Sequence, residues 1–259
     1  MNVLGRIIYD LKSALVISKR YMRIYYTRPS TVMFGLMFPF FLFLSWAVGK
    51  NAPMNRLFPS LVAIIFLFSS SSVGPTILPL ERRLKTLERL LVAPISYLSI
   101  LLGIIICSIV YSVFISTVLV LFGIIFLGVW VLNPFHLLIG FLLSAFCFAS
   151  MGMMYASYPT EYPGDIMIAL NFTRLPLLFI SGVFIPLENM ISWQRFLAIL
   201  SPLTYCNDLI KYAFTSTSYF TPLINILALT AYSIFFVIVG TKIHFKFYEK
   251  GISGKPRQR

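Results

Sequence analysis

Charge is scarce in this chain. Of 259 residues, 11% are Asp, Glu, Lys or Arg, and only eight of those are acidic. A typical soluble domain carries about 25% charged residues, so a surface solvated on all sides is excluded. Histidine and cysteine are scarcer still. His136 and His244 each sit at the edge of an apolar run, where an imidazole reads as an interfacial group rather than a catalytic base. Cys107, Cys147 and Cys206 are scattered, and the first two lie inside apolar runs, so neither a disulfide framework nor a metal site is expected. The chain also lacks the G-x-x-x-x-G-K-[ST] loop that cradles phosphates, the H-E-x-x-H zinc pattern and a nucleophile elbow with a plausible base. An enzyme carrying its own chemistry is therefore disfavoured, and no cofactor is expected on this chain. Lys12, Lys19, Arg20 and Arg23 interrupt any apolar core near the start, so no cleavable signal peptide is expected there.

Apolar residues make up the balance: 59% of the chain is hydrophobic, with 25 Phe and 14 Tyr. Several runs exceed the roughly 18–20 residues needed to cross about 30 Å of hydrocarbon as a helix, which alone satisfies its own backbone in lipid. The alternation of a membrane β-barrel is absent. The expected fold is an all-α integral membrane domain, 1–259, with six transmembrane helices at about 31–48, 57–80, 97–130, 135–157, 166–185 and 221–241. Ahead of them, 9–27 reads as an amphipathic helix lying in the membrane surface, with Lys12, Lys19, Arg20 and Arg23 on one arc. Pro29 ends it. The second span holds Ser69 to Ser72, Gly74, Pro75 and Pro79, small residues and prolines that suit close helix packing better than pore lining. The third run is longer than the bilayer is thick, so it should tilt or project.

Basic residues set the orientation. With six spans, 17 of the 21 Lys and Arg fall on the side of both termini when Arg174 of the fifth span is counted with it, and only Lys50, Arg56, Arg195 and Lys211 on the other. The positive-inside rule places both termini in the cytoplasm of a multi-pass protein in the cell membrane. The net charge of +13 thus reads as topology and contact with membrane lipids, not as a nucleic-acid interface, for which no fold pattern is present.

One charged island, ERRLKTLERLLVAPIS at 81–96, interrupts the apolar runs on the cytoplasmic side. Leu84, Leu87, Leu90 and Leu91 recur at helical spacing among Arg82, Arg83, Lys85, Glu88 and Arg89, which describes a short amphipathic helix ending at Pro94. Glu81 near its start suits the helix dipole. A solvated loop whose charges only enforce topology explains the same residues equally well. The pattern resembles the E-x-x-x-G-T-L-E-x-L-L-x-x-P-[VI]-S run of type-2 ATP-binding cassette permeases, through Glu81, Thr86, Leu87, Glu88, Leu90, Leu91, Pro94, Ile95 and Ser96. Lys85 stands where that run has a small residue. A second match, Ser181 to Leu187 followed by Trp193 to Tyr205 and Asp208, is similar to the family's S-G-x-x-x-P-L … P-L-T-Y-x-x-[DE] signature.

The resemblance implies a half-transporter. Cytoplasmic ATPase subunits would bind ATP and Mg and dock on a coupling helix comprising Glu81, Arg82, Arg83, Thr86, Leu87, Glu88, Leu91 and Pro94. A second permease copy, identical or related, would complete the membrane part. Gly182, Pro186, Leu187, Pro202, Leu203, Thr204 and Tyr205 would form an outer gate of short re-entrant helices, against the plainer reading of an ordinary outer loop. Arg174 is the one basic residue deep in an expected span. Its charge costs about 2.5–3.5 kcal/mol on insertion scales, so it should face the bundle or a wet cavity, paired with a residue such as Glu161 or Asp165 of the same or the opposite subunit, or meet an anionic substrate or lipid head group. The expected function is outward movement of an amphipathic drug-like or lipid-like molecule. The alternatives are export of a polysaccharide or lipid-linked glycan and, from another class, an ion-coupled secondary carrier, which should show inverted repeats and carboxylates within its spans.

Overall fold

The computed structural model describes residues 3–25, 37–47, 53–92 and 95–252. All regular structure among them is helical: α1 (Val3–Tyr25), α2 (Phe38–Ala47), α3 (Met54–Arg83), α4 (Thr86–Val92), α5 (Tyr97–Leu127), α6 (Pro134–Ala156), α7 (Pro163–Ile180), α8 (Ser192–Ile199), α9 (Pro202–Thr215) and α10 (Pro222–Ile252), with a 3₁₀ turn at Leu187–Asn189. Five of these, α3, α5, α6, α7 and α10, are long and apolar enough to cross a membrane, so the chain is a multi-pass membrane protein. They match the expected second to sixth spans, except that the fifth ends at Ile180 and the last helix runs on to Ile252. The first expected span, 31–48, falls partly outside the described residues, and α2 covers its second half. The 31 residues of α5 reach about 46 Å at 1.5 Å each, more than the hydrocarbon thickness, so this helix tilts or projects. Gly128, with φ of 63°, ends it in the left-handed conformation that glycine adopts without penalty.

The centre of the bundle is α3. It packs most extensively on α6 and also against α5, α7 and α9, and its residues from Leu57 to Ser71 are all buried. The serine run serves this packing. Ser69, Ser71 and Ser72 donate their hydroxyls to the carbonyls of Ile65, Leu67 and Phe68 one turn back, while Ser70 Oγ donates across to the Ala145 carbonyl of α6 at 2.6 Å. Pro75 has no N–H for the Ser71 carbonyl. Gly152 of α6 lies against that freed carbonyl, so close that a Cβ there would stand 2.3 Å from the oxygen.

The helix expected at 9–27 is found at Val3–Tyr25, starting earlier than expected; 26 and 27 lie outside the described residues. It lies along α5, burying Ala14, Ile17, Ser18 and Tyr21. Leu11 and Leu15 are exposed beside the basic arc, so the helix has two open faces, one apolar and one charged.

Candidate functional site

The charged island is not one helix. Glu81, Arg82 and Arg83 are the last turn of α3; the chain then turns at Leu84 and Lys85, and α4 starts at Thr86. The expectation that Glu81 opens the island helix is thereby corrected: it closes the preceding one, where the helix dipole disfavours an anion. Lys85 makes the break with φ of 55°, at the position where the resembling run has glycine. A side chain in that region costs roughly 1–2 kcal/mol, which explains why the small residue is usual there. Thr86 Oγ1 donates to the Glu81 carbonyl at 3.3 Å, tying the first turn of α4 to the end of α3. At the far side Ser96 caps α5, accepting from the Ser99 N–H at 3.1 Å.

Several of the expected docking residues are occupied within the chain. Glu81 is 7% exposed and pairs with Arg20 of α1 at 3.1 Å. Arg82 donates to the carbonyls of Ala156, Tyr158 and Thr160, at 3.2, 2.6 and 3.4 Å, closing the end of α6. Leu87 is buried in the core. The open surface of the segment is instead Arg83, Leu84, Lys85, Arg89 and Val92, with Leu84 60% and Val92 87% exposed. The side chains of Glu88 and Leu91, and all of Pro94, lie outside the described residues.

At the opposite end of the bundle the segment after α7 folds into two short helices. Gly182 turns the chain with φ of 76°, and its carbonyl accepts from Asn207 Nδ2 at 3.4 Å. Pro186 precedes the 3₁₀ turn that buries Leu187. Pro202 occupies the first turn of α9, where its missing N–H costs nothing. The L-T-Y that follows has a structural logic: Leu203 enters the core, Thr204 Oγ1 donates to the Ala198 carbonyl at 2.6 Å, and Tyr205 Oη to that of Ile199 at 2.9 Å. Both hydroxyls satisfy carbonyls at the end of α8. Asp208, 3% exposed, accepts from the N–H groups of Tyr219 and Phe220 at 2.7 and 2.8 Å and from Asn225 Nδ2 at 2.9 Å, holding the α9–α10 connection. Between this segment and the start of α3 lies a cavity of about 500 Å³, walled by Arg56, Ser60, Glu188, Asn207 and Lys211 among others.

Within the chain Arg174 pairs with neither Glu161 nor Asp165. It is 2% exposed on α7 and turns into α3: Nε and Nη2 donate to Ser71 Oγ at 2.9 and 2.6 Å, and Nη2 also to Ser72 Oγ at 2.9 Å. Nη1 donates to Asn171 Oδ1 at 3.3 Å, and the guanidinium lies over the Phe68 ring. Asp165 instead accepts from Thr160 Oγ1 at 3.1 Å. The serines can accept because their own protons go to carbonyls one turn back. Nothing in the sequence distance, 103 residues, announced that pairing. Among the described residues no cluster of His, Cys, Asp or Glu could hold a metal ion.

Relatives of similar sequence cover most of the chain. Proteins named "putative transport permease ycf38" from Porphyra purpurea and Cyanophora paradoxa are 28% and 30% identical over 208 residues, covering 74% of this chain and 70% of each relative. The family model for ABC-2 type transporters matches 12–215, a stretch that runs from within α1 through the broken island and the short helices to the end of α9. With the bundle and the two motif segments accounted for, the chain belongs to the ABC-2 type transporter family and is a membrane permease of an ATP-binding cassette transporter.

Proposed function

We propose that the chain is the membrane half of an exporter, moving an amphipathic drug-like or lipid-like molecule outward while a separate cytoplasmic subunit binds Mg-ATP and hydrolyses it. A second permease copy completes the pathway, both termini face the cytoplasm, and the cell membrane is the site of action. The observation that carries this reading is the open face of α4 and the turn before it. Leu84 and Val92 are exposed apolar side chains beside Arg83, Lys85 and Arg89, on a segment anchored from beneath by Leu87. Exposed leucine and valine at the rim of a membrane protein, among charges, suit a soluble partner better than lipid. Family membership sets aside the ion-coupled carrier. Export of a lipid-linked glycan is the second reading, supported by the polar walls of the 500 Å³ cavity beside α9, which suit a hydrophilic head group at the exit.

The test is the double variant Leu84→Asp with Val92→Asp. Both side chains are exposed, so folding and membrane insertion should persist, while co-purification of the ATPase subunit and ATP-driven uptake into inside-out vesicles should fall at least tenfold. Unchanged co-purification would show that the partner docks elsewhere.

A further inference from the structure

Two polar ties join α1 to the chain on either side of α4. Arg20 Nη2 meets Glu81 Oε1 at 3.1 Å, on the last turn of α3 before the island, and Ser99 Oγ donates to Asp10 Oδ1 at 2.9 Å, in the first turn of α5 after it. Ten residues of helix separate Asp10 from Arg20, about 15 Å at 1.5 Å per residue, so α1 spans the gap across which α4 is suspended. Between the ties α1 is seated hard on α5. A Cβ on Gly103 would stand 2.8 Å from Ile17 Cγ2 and 3.0 Å from the Ala14 carbonyl.

The α3 end of this bracket is costly. Glu81 is buried at a helix C-terminus, and neither its Oε2 nor the Oη of Tyr21 has a hydrogen-bond partner. Burial, and after it the charge of Glu81, push the Tyr21 phenol above its ordinary range, so it stays protonated. Hydrophobic packing of an interfacial helix needs no such carboxylate. Lys85 meanwhile gives the α3–α4 junction a backbone turn at which the segment can bend.

We infer that α1 is a splint across the coupling segment: Arg20 and Asp10 are positioning residues that hold the end of α3 and the start of α5 at a fixed separation. A displacement of α4 by the ATPase then moves α1, α3 and α5 together instead of being absorbed at the Lys85 turn. This rests on the coupling reading proposed above.

The test uses the full permease–ATPase complex in proteoliposomes, reading transported molecules per ATP hydrolysed. R20Q and, independently, S99A are expected to co-purify with the ATPase and to hydrolyse ATP, with the transport-to-ATP ratio reduced fivefold or more. R20K should keep over half the ratio. In a background with Cys107, Cys147 and Cys206 replaced by serine or alanine, R20C/E81C joined by a bismaleimide spacer should recover coupling relative to its unlinked form. The inference is overturned if R20Q and S99A transport as efficiently per ATP as the parent, if R20K is as defective as R20Q, or if the cross-link abolishes transport that the unlinked pair retains. Failure of the docking reading has a separate signature, since it shows as undiminished ATPase binding in the Leu84→Asp, Val92→Asp variant.

Discussion

Gly152 is the most sensitive packing position that the structure exposes. An alanine there would place its Cβ 2.3 Å from the Ser71 carbonyl oxygen and 2.8 Å from both the carbonyl carbon and the Cα of Ser71. These are backbone atoms in the most extensively packed helix pair, so no side chain can rotate away. An ordinary contact begins at 3.4 Å, which requires α6 to retreat 1.1 Å from α3. A gap of that size forfeits a quarter to a half of each neighbouring dispersion contact, and it stretches the 2.6 Å hydrogen bond from Ser70 to Ala145. Overpacking of this kind costs about 1–3 kcal/mol, and the backbone contact puts Gly152→Ala at the upper end. At about 2–4 °C per kcal/mol for a chain of this size, the melting temperature of the detergent-solubilised permease should drop by about 5–10 °C. Two controls carry the same substitution. Gly74→Ala would meet Met153 at 3.5 Å, an ordinary contact, and Gly164→Ala would meet nothing within 4 Å. Both should melt within about 2 °C of the parent, or slightly above it through better helix propensity. The reasoning is refuted if Gly152→Ala melts with the controls, or if all three fall alike.

Replacing Arg174 by Leu removes three hydrogen bonds to α3 serines, worth about 0.6 kcal/mol each within a membrane, and relieves an insertion cost of about 2.5–3.5 kcal/mol. Ser71 and Ser72 keep their own carbonyl partners, so the variant should be as stable as the parent or more so by thermal unfolding; a drop beyond 5 °C would show that the arginine holds α7 in place. Asp208→Ala orphans two backbone N–H groups and Asn225, and should cost about 2–4 kcal/mol, read as a lower melting temperature and faster proteolysis between α9 and α10.

The extent to which each feature could be read in advance follows from the range of the interactions behind it. The approximate positions of the second to sixth expected spans were legible because they depend on local composition: 20 or so apolar residues must become helix in lipid whatever they later touch. The break at Lys85 was visible only as a departure from the family's small residue, and its left-handed φ is the reason for it. The burial of Leu87 in the core was not legible, since helical spacing shows that leucines share a face but not whether a given one meets this chain or another.

What the sequence determined by itself is therefore the class of molecule: a helical membrane protein, its span order and the two motif segments, all encoded within windows of a helix or less. What only the tertiary structure decided is pairing. Arg174 rests on serines 103 residues away rather than on the nearer Asp165, Arg20 holds Glu81 across 61 residues, and Asp208 caps the connection between α9 and α10. In a bundle where hydrophobicity is spent on entering the membrane, the scarce polar groups choose their partners by the geometry of helix packing, and that geometry is not written in any single stretch.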